Sequence, residues 1–306
     1  MRLSRRYSAF LLFLLPTFCY AAAQADTIQI KNHLTTITKT PKPRNYQNVD
    51  QLNQTANYLI SVFSQYTPSV SVQEYTVDGQ VYKNVIASFG MEHTKRIIVG
   101  AHYDVCGNQE GADDNATGVV GLLELARLLK GQQLNHRIDL VAYTLEEPPY
   151  FRTEHMGSYV HAKSLAETKA DVFGMVSLEM IGYFKEEKKS QTYPVGILSW
   201  FYGNRGNYIT LVNKFGAGAF AKSFSREFKA SNQIKTKKFT GPPALPGIDF
   251  SDHLNYWQFG YSALMLTDTS FYRNKNYHEP TDTLETLDLP KMALVLDGVY
   301  QALRQL

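Results

Sequence analysis

Hydrophobic positions along the chain switch between two periods, and the switches predict helices alternating with strands. Val49, Leu52, Ala56, Leu59, Ile60 and Phe63 recur at helical spacing and predict a helix over 49–65, closed by Thr67-Pro68. Val70 to Val77 alternates apolar and polar, Asp78-Gly79 is a tight-turn pair, and Val81 to Phe89 reads as the return strand of a hairpin. Apolar runs at 95–101, 138–143 and 172–178 read as buried strands. Asp114 or Asn115 is expected to cap a helix running to about Leu129, apolar on all sides and therefore deeply buried. Further helices are predicted at 156–167 and 289–306, and a late core strand at 262–266. Residues 26–46 are polar, carry Pro41 and Pro43, and read as an extended lead-in. Residues 183–250 are the least regular; helices near 207–215 and 217–230 are expected there, within active-site walls. The whole predicts an α/β fold, a three-layer αβα sandwich around a mixed, mostly parallel central sheet.

The first 25 residues stand apart from this pattern. Arg2, Arg5 and Arg6 precede an apolar core from Ala9 to Leu15, and Ala23-Gln24-Ala25 makes a small-x-small cleavage signal. That reads as a secretory signal peptide, with residues 26–306 forming one catalytic domain outside the cytoplasm, secreted or periplasmic. Its removal would take away three arginines and no acid, bringing the formal charge of +3 to zero. A neutral chain offers no electrostatic reason to expect nucleic acid or an anionic membrane as partner. The charge runs at Lys185 to Lys189 and Lys235 to Lys238 read as solvated loop faces. Only Cys106 would remain, so no intrachain disulfide is possible.

Chemistry concentrates where the predicted strands end. His102 and Asp104 follow the run at 95–101, and Asp113-Asp114 lie just beyond in a Gly-containing loop. Glu146-Glu147 follow the strand at 138–143, and Glu179 follows that at 172–178. Ligand sites of open α/β sheets lie at such strand ends. Adjacent buried carboxylates repel unless a cation or a proton sits between them. His278, in the loop Tyr277-His278-Glu279-Pro280-Thr281-Asp282-Thr283, adds a second imidazole. Two histidines and three carboxylates, with one carboxylate to spare as a base, suit two zinc ions sharing a bridging acid.

HYD, GADDNATG, LEE, LEMIGY and HEPTDT, in this order between about residues 95 and 285, resemble the co-catalytic di-zinc exopeptidases of metallopeptidase family 28, with their phosphorylase/hydrolase-like fold. The resemblance implies His102, Asp113 and Glu179 on one zinc, and Asp113, Glu147 and His278 on the other. It further implies Glu146 as general base, Asp104 as the carboxylate that orients His102, and a cis peptide between Asp113 and Asp114. His253, in Ser251-Asp252-His253, and Tyr272 and Arg273 are candidate substrate contacts, and Cys106 reads as a bystander thiol. The activity implied is hydrolysis of N-terminal peptide bonds of a peptide substrate. Glu179 stands where many aminopeptidases of this type carry Asp, which leaves carboxypeptidase or amidohydrolase specificity open. A single-zinc glutaminyl cyclase, an acyltransferase of similar fold, is the enzymatic alternative; a non-catalytic receptor or scaffold domain is the other.

Overall fold

The computed structural model describes residues 24–306, so nearly all of the expected leader lies outside the described residues. Eight strands form one mixed sheet: β1 (Val70–Val77), β2 (Gln80–Phe89), β3 (Arg96–His102), β4 (Arg137–Tyr143), β5 (Val172–Glu179), β6 (Ile209–Lys214), β7 (Thr236–Gly241) and β8 (Ala263–Thr267). Their order across the sheet is β1-β2-β4-β3-β5-β8-β6-β7. The pairs β4/β3, β3/β5, β5/β8 and β6/β7 are parallel, while β1/β2, β2/β4 and β8/β6 are antiparallel. Eight helices complete the fold: α1 (Thr27–Thr38), α2 (Val49–Phe63), α3 (Gly118–Leu129), α4 (Gly157–Glu167), α5 (Leu198–Tyr202), α6 (Gly218–Ala230), α7 (His253–Gln258) and α8 (Leu289–Gln305). One large core joins α1, α2, α3, α6 and α8 to a sheet face, and a second cluster packs α4 and α7 against the other. This is the expected three-layer α/β architecture.

Three local expectations fail, each because packing overrides a local signal. Residues 27–38 are helical rather than extended. Asp26 caps them through its side chain, which accepts from the N–H groups of Ile28 and Gln29. Ile30, Leu34 and Ile37 then fall on one buried face, which compensates for a stretch rich in Thr and Ile. Residues 209–214 form strand β6 instead of a helix: the apolar Ile209, Leu211 and Val212 do not by themselves distinguish the two, and pairing with β8 and β7 decides for the strand, while β7 at the sheet edge is hidden by its polar, lysine-bearing composition. Finally, α3 begins at Gly118, because Asp114 and Asn115 have non-helical dihedrals within an irregular turn over Ala112–Thr117.

Two buried histidines lie against the second core cluster, each bonded to one of its members. His161 Nδ1 lies 2.6 Å from Tyr256 Oη, and His253 Nε2 lies 2.8 Å from the Ile248 carbonyl, with its ring edge-on to Trp257. Burial holds both down to about 4. A depressed histidine contributes stability that is present above its unfolded value of 6.5 and is lost as pH falls through about 4. Each is expected to cost up to about 3 kcal/mol across that window. Urea melts at pH 7 and pH 4.5, with His253→Gln beside the native chain, isolate this effect from carboxylates that titrate in the opposite sense. An equal pH dependence in both proteins would refute it.

Candidate metal centre

Because β4, β3 and β5 are parallel neighbours, their C-terminal ends share one edge of the sheet. His102 ends β3, Glu146 and Glu147 lie just beyond β4, and Glu179 ends β5. The loop before α3 brings in Asp114, and the loop after β8 brings in His278. His102 Nε2 lies 3.5 Å from Asp114 Oδ1, 3.4 Å from Glu179 Oε2 and 3.9 Å from Glu146 Oε2. His278 Nε2 lies 3.2 Å from both Asp114 Oδ2 and Glu147 Oε2. Asp114 therefore sits between the two imidazoles, one carboxylate oxygen toward each.

Asp113, the bridging residue expected from the sequence, points elsewhere. Its Oδ1 accepts the Gly182 N–H at 3.0 Å and its Oδ2 accepts from the Asn274 amide at 2.8 Å. The cis bond likewise falls one residue later than expected, between Asp114 and Asn115. The cause of the displaced register is Asp282, whose carboxylate accepts the N–H groups of both Asp113 and Asp114 at 2.9 and 3.0 Å. Gly111 starts the turn at φ 58°, where a Cβ would strike Val105 and the Asp114 carbonyl.

The surrounding hydrogen bonds leave the inward-facing atoms bare. His102 Nδ1 donates to the Asp104 carbonyl at 3.2 Å, with the Asp104 carboxylate 3.5 Å away, which turns Nε2 toward the acids. The same carboxylate accepts the N–H groups of Glu146 and Glu147, so Asp104 sets three members of the site. Ser251 Oγ donates to Glu179 Oε2 at 2.8 Å, and the Asn115 amide donates to the Leu178 carbonyl. Burial alone would lower His278, but Asp114 and Glu147 beside it lift it to about 10. Burial and its acidic neighbours push Glu147 up to about 7 and raise Glu146 well above the usual carboxylate range.

The other candidates are placed unevenly. Tyr272 lines a cleft that opens from Glu179 between Tyr193, Tyr208, Phe239, Phe250 and Met265. His253 is fully buried on the Ile248 carbonyl and does not line that cleft, so the expected substrate contact is not made there. Arg273 is also buried. Its guanidinium donates to Gln191 Oε1 and to the carbonyls of Tyr183 and Tyr208, which makes it a strut of the cleft wall. Cys106 lies beside Glu147 and His278, and burial, with the carboxylates of Glu147, Asp114 and Asp104 nearby, pushes its thiol up to about 11. Sequence reasoning missed Asp114, Asp282, Ser251 and Arg44. Arg44 is a buried arginine that donates to the carbonyls of Ile37, Tyr103, Glu110 and Gly111 and so ties down the loop bearing Asp114. Asp114 adjoins the acid chosen, and Asp282 and Ser251 stand inside motifs quoted for their histidines, whereas Arg44 carries no local signal.

Two imidazoles facing four carboxylates at the strand ends of an α/β sheet, beside an apolar cleft, make a candidate metal centre of a hydrolase. The chain belongs to peptidase family M28, whose model matches residues 84–303, and it is a peptidase. It is 44% identical over 287 residues to the uncharacterized protein YfbL of Escherichia coli K12, covering 91% of this chain and 88% of that one. It is 30% identical over 222 residues to aminopeptidase YwaD of Bacillus subtilis 168, covering 70% of this chain but only 43% of YwaD. Among solved structures, LapB of Legionella pneumophila superposes with a TM-score of 0.69 at 21% identity, covering 90% of this chain and 71% of LapB. The glutaminyl cyclase of Bacteroides thetaiotaomicron superposes with a TM-score of 0.71 at 18% identity, covering 94% and 100%. At such identities these likenesses describe the fold.

Proposed function

We propose that the chain is an exported aminopeptidase that uses two zinc ions, one held by His102, Asp114 and Glu179 and the other by Asp114, Glu147 and His278. The spacing of the ligand atoms carries this reading. Two atoms bound to one tetrahedral zinc at about 2.0–2.2 Å lie about 3.3–3.6 Å apart, whereas hydrogen-bonded partners lie nearer 2.9 Å. The separations here run from 3.2 to 3.5 Å. His278 Nε2, Asp114 Oδ2 and Glu147 Oε1 are buried atoms without a hydrogen-bond partner, as atoms reserved for a cation would be.

When bound, zinc supplies Lewis acidity to the scissile carbonyl and acidity to the attacking water. The chain's own part in the reaction follows from its acids. Glu146, held by its backbone N–H on Asp104, projects Oε2 beside this centre without being needed as a ligand. Oε2 takes a proton from the attacking water and returns it to the nitrogen of the departing amine. The cleft lining carries one carboxylate, Glu179, and no lysine or arginine. That charge suits a free α-ammonium and gives a substrate's terminal carboxylate no partner, which favours cutting from the N-terminus. The tyrosines, phenylalanines and Met265 favour a bulky apolar first side chain.

The fold is shared with a glutaminyl cyclase, which keeps cyclisation of N-terminal glutamine as the second reading. Metal-replete protein assayed on leucyl and phenylalanyl anilides, their N-blocked forms and a glutaminyl peptide separates the two. Hydrolysis of free apolar anilides at least tenfold above the blocked forms is expected. Cyclisation without hydrolysis, or a preference for blocked substrates, would replace the aminopeptidase reading.

A further inference from the structure

Two buried carboxylates from helix interiors converge on the chain just ahead of α1. Glu124 of α3 accepts the Asp26 N–H at 2.6 Å, and Asp297 of α8 accepts the Ala25 N–H at 2.7 Å. Glu124 is 1% exposed and Asp297 5%. Glu124 has its cation, since Arg127 donates to both its oxygens at 2.6 and 3.0 Å and also holds the Gln24 carbonyl. Asp297 has none: among the described residues, no lysine, arginine or histidine forms an ion pair with it. Two carboxylates against one guanidinium leave a buried negative charge that peptide N–H dipoles do not cancel. The small-x-small signal Ala23-Gln24-Ala25 ends at this same point.

Cleavage after Ala25 would supply the missing cation. Water adds across the Ala25–Asp26 amide, its oxygen leaves with the new Ala25 carboxylate, and the Asp26 nitrogen gains protons to become an α-ammonium. That nitrogen already stands 2.6 Å from Glu124. The Ala25 N–H that Asp297 holds leaves with the leader, and the next nitrogen along the chain, that of Asp26, then carries the charge that faces both carboxylates. We propose that Glu124 and Asp297 form a binding site for the chain's own α-ammonium at Asp26, filled when the leader is removed. The filled site clamps α1 to α3 and α8. Because α3 runs directly out of the turn bearing Asp114, processing firms the helix on which the metal centre rests. The inference rests on the leader reading and is independent of which substrate the peptidase cuts.

The test compares a full mature chain beginning with a free Asp26, released from a fusion without a scar, with the same chain extended by Gly-Ala. The extension restores the neutral amides at residues 25 and 26, including the Ala25 N–H on Asp297 that the free form lacks, so contacts alone would favour the extended form. The free form is expected to melt roughly 3–8 °C higher. Asp297→Asn should erase most of that gap, and should speed acylation of the Asp26 amine at pH 7.5 at least tenfold by freeing it. Exported native chain should show Asp26 as its first residue by mass. Equal melting of the two forms, an unchanged gap or acylation rate in Asp297→Asn, or an exported chain beginning elsewhere overturns the proposal.

Discussion

Glu146→Gln should cut kcat by about 10²–10⁴-fold while both metal equivalents stay bound, because a positioned acid–base group contributes that much and glutamine cannot carry the proton. The substitution keeps the size of the side chain and leaves the backbone N–H on Asp104 in place. None of the 3.2–3.5 Å ligand separations involves Glu146, whose nearest approach to His102 Nε2 is 3.9 Å. Glu147→Gln, one residue on, should behave differently. Glu147 Oε2 is 3.2 Å from His278 Nε2, so its loss should lower metal content along with activity. Elemental analysis beside steady-state kinetics separates the two. A Glu146→Gln protein with native kcat, or one that has lost its metal, removes Glu146 from the role of base.

The second large effect concerns the adjacent acids. Asp114→Asn should reduce bound metal from two equivalents to one or fewer and lower kcat/KM by about 10³-fold or more, since one side chain serves both ions. Asp113→Asn should keep two equivalents. Its carboxylate is engaged with Gly182 and Asn274, so the expected cost falls on stability and on the placement of the turn. Metal content by mass spectrometry under native conditions reads the difference directly. If Asp113→Asn loses metal and Asp114→Asn retains it, the order inferred from the motif alone is right and the carboxylate arrangement described above is wrong.

This one-residue displacement marks the limit of what the motif conveys. GADDNATG places two acids side by side, and nothing local says which faces the cation. Asp282, 168 residues beyond Asp114, decides it by holding both backbone N–H groups and turning one carboxylate in and the other out. Arg44 is silent in the sequence for a related reason. A lone arginine in a Pro-containing lead-in reads as solvated, yet it is buried on four carbonyls drawn from three separate segments. His253 errs in the other direction: its motif reads as part of a pocket, and packing on Trp257 and the Ile248 carbonyl takes it into the core.

By itself the sequence determined the alternation of buried strands with helices, the ends of β3, β4 and β5 as the place where His102, Glu146, Glu147 and Glu179 gather, and the peptidase family. Each of these is written in short-range periodicity or in residues close together along the chain. Tertiary structure alone decided that Asp114 stands between the two imidazoles, that residues 27–38 coil into a helix, that β6 and β7 extend the sheet, and which side chains line the cleft. Those outcomes depend on partners far away in the chain, whose hydrogen bonds and buried contacts outweigh local preference.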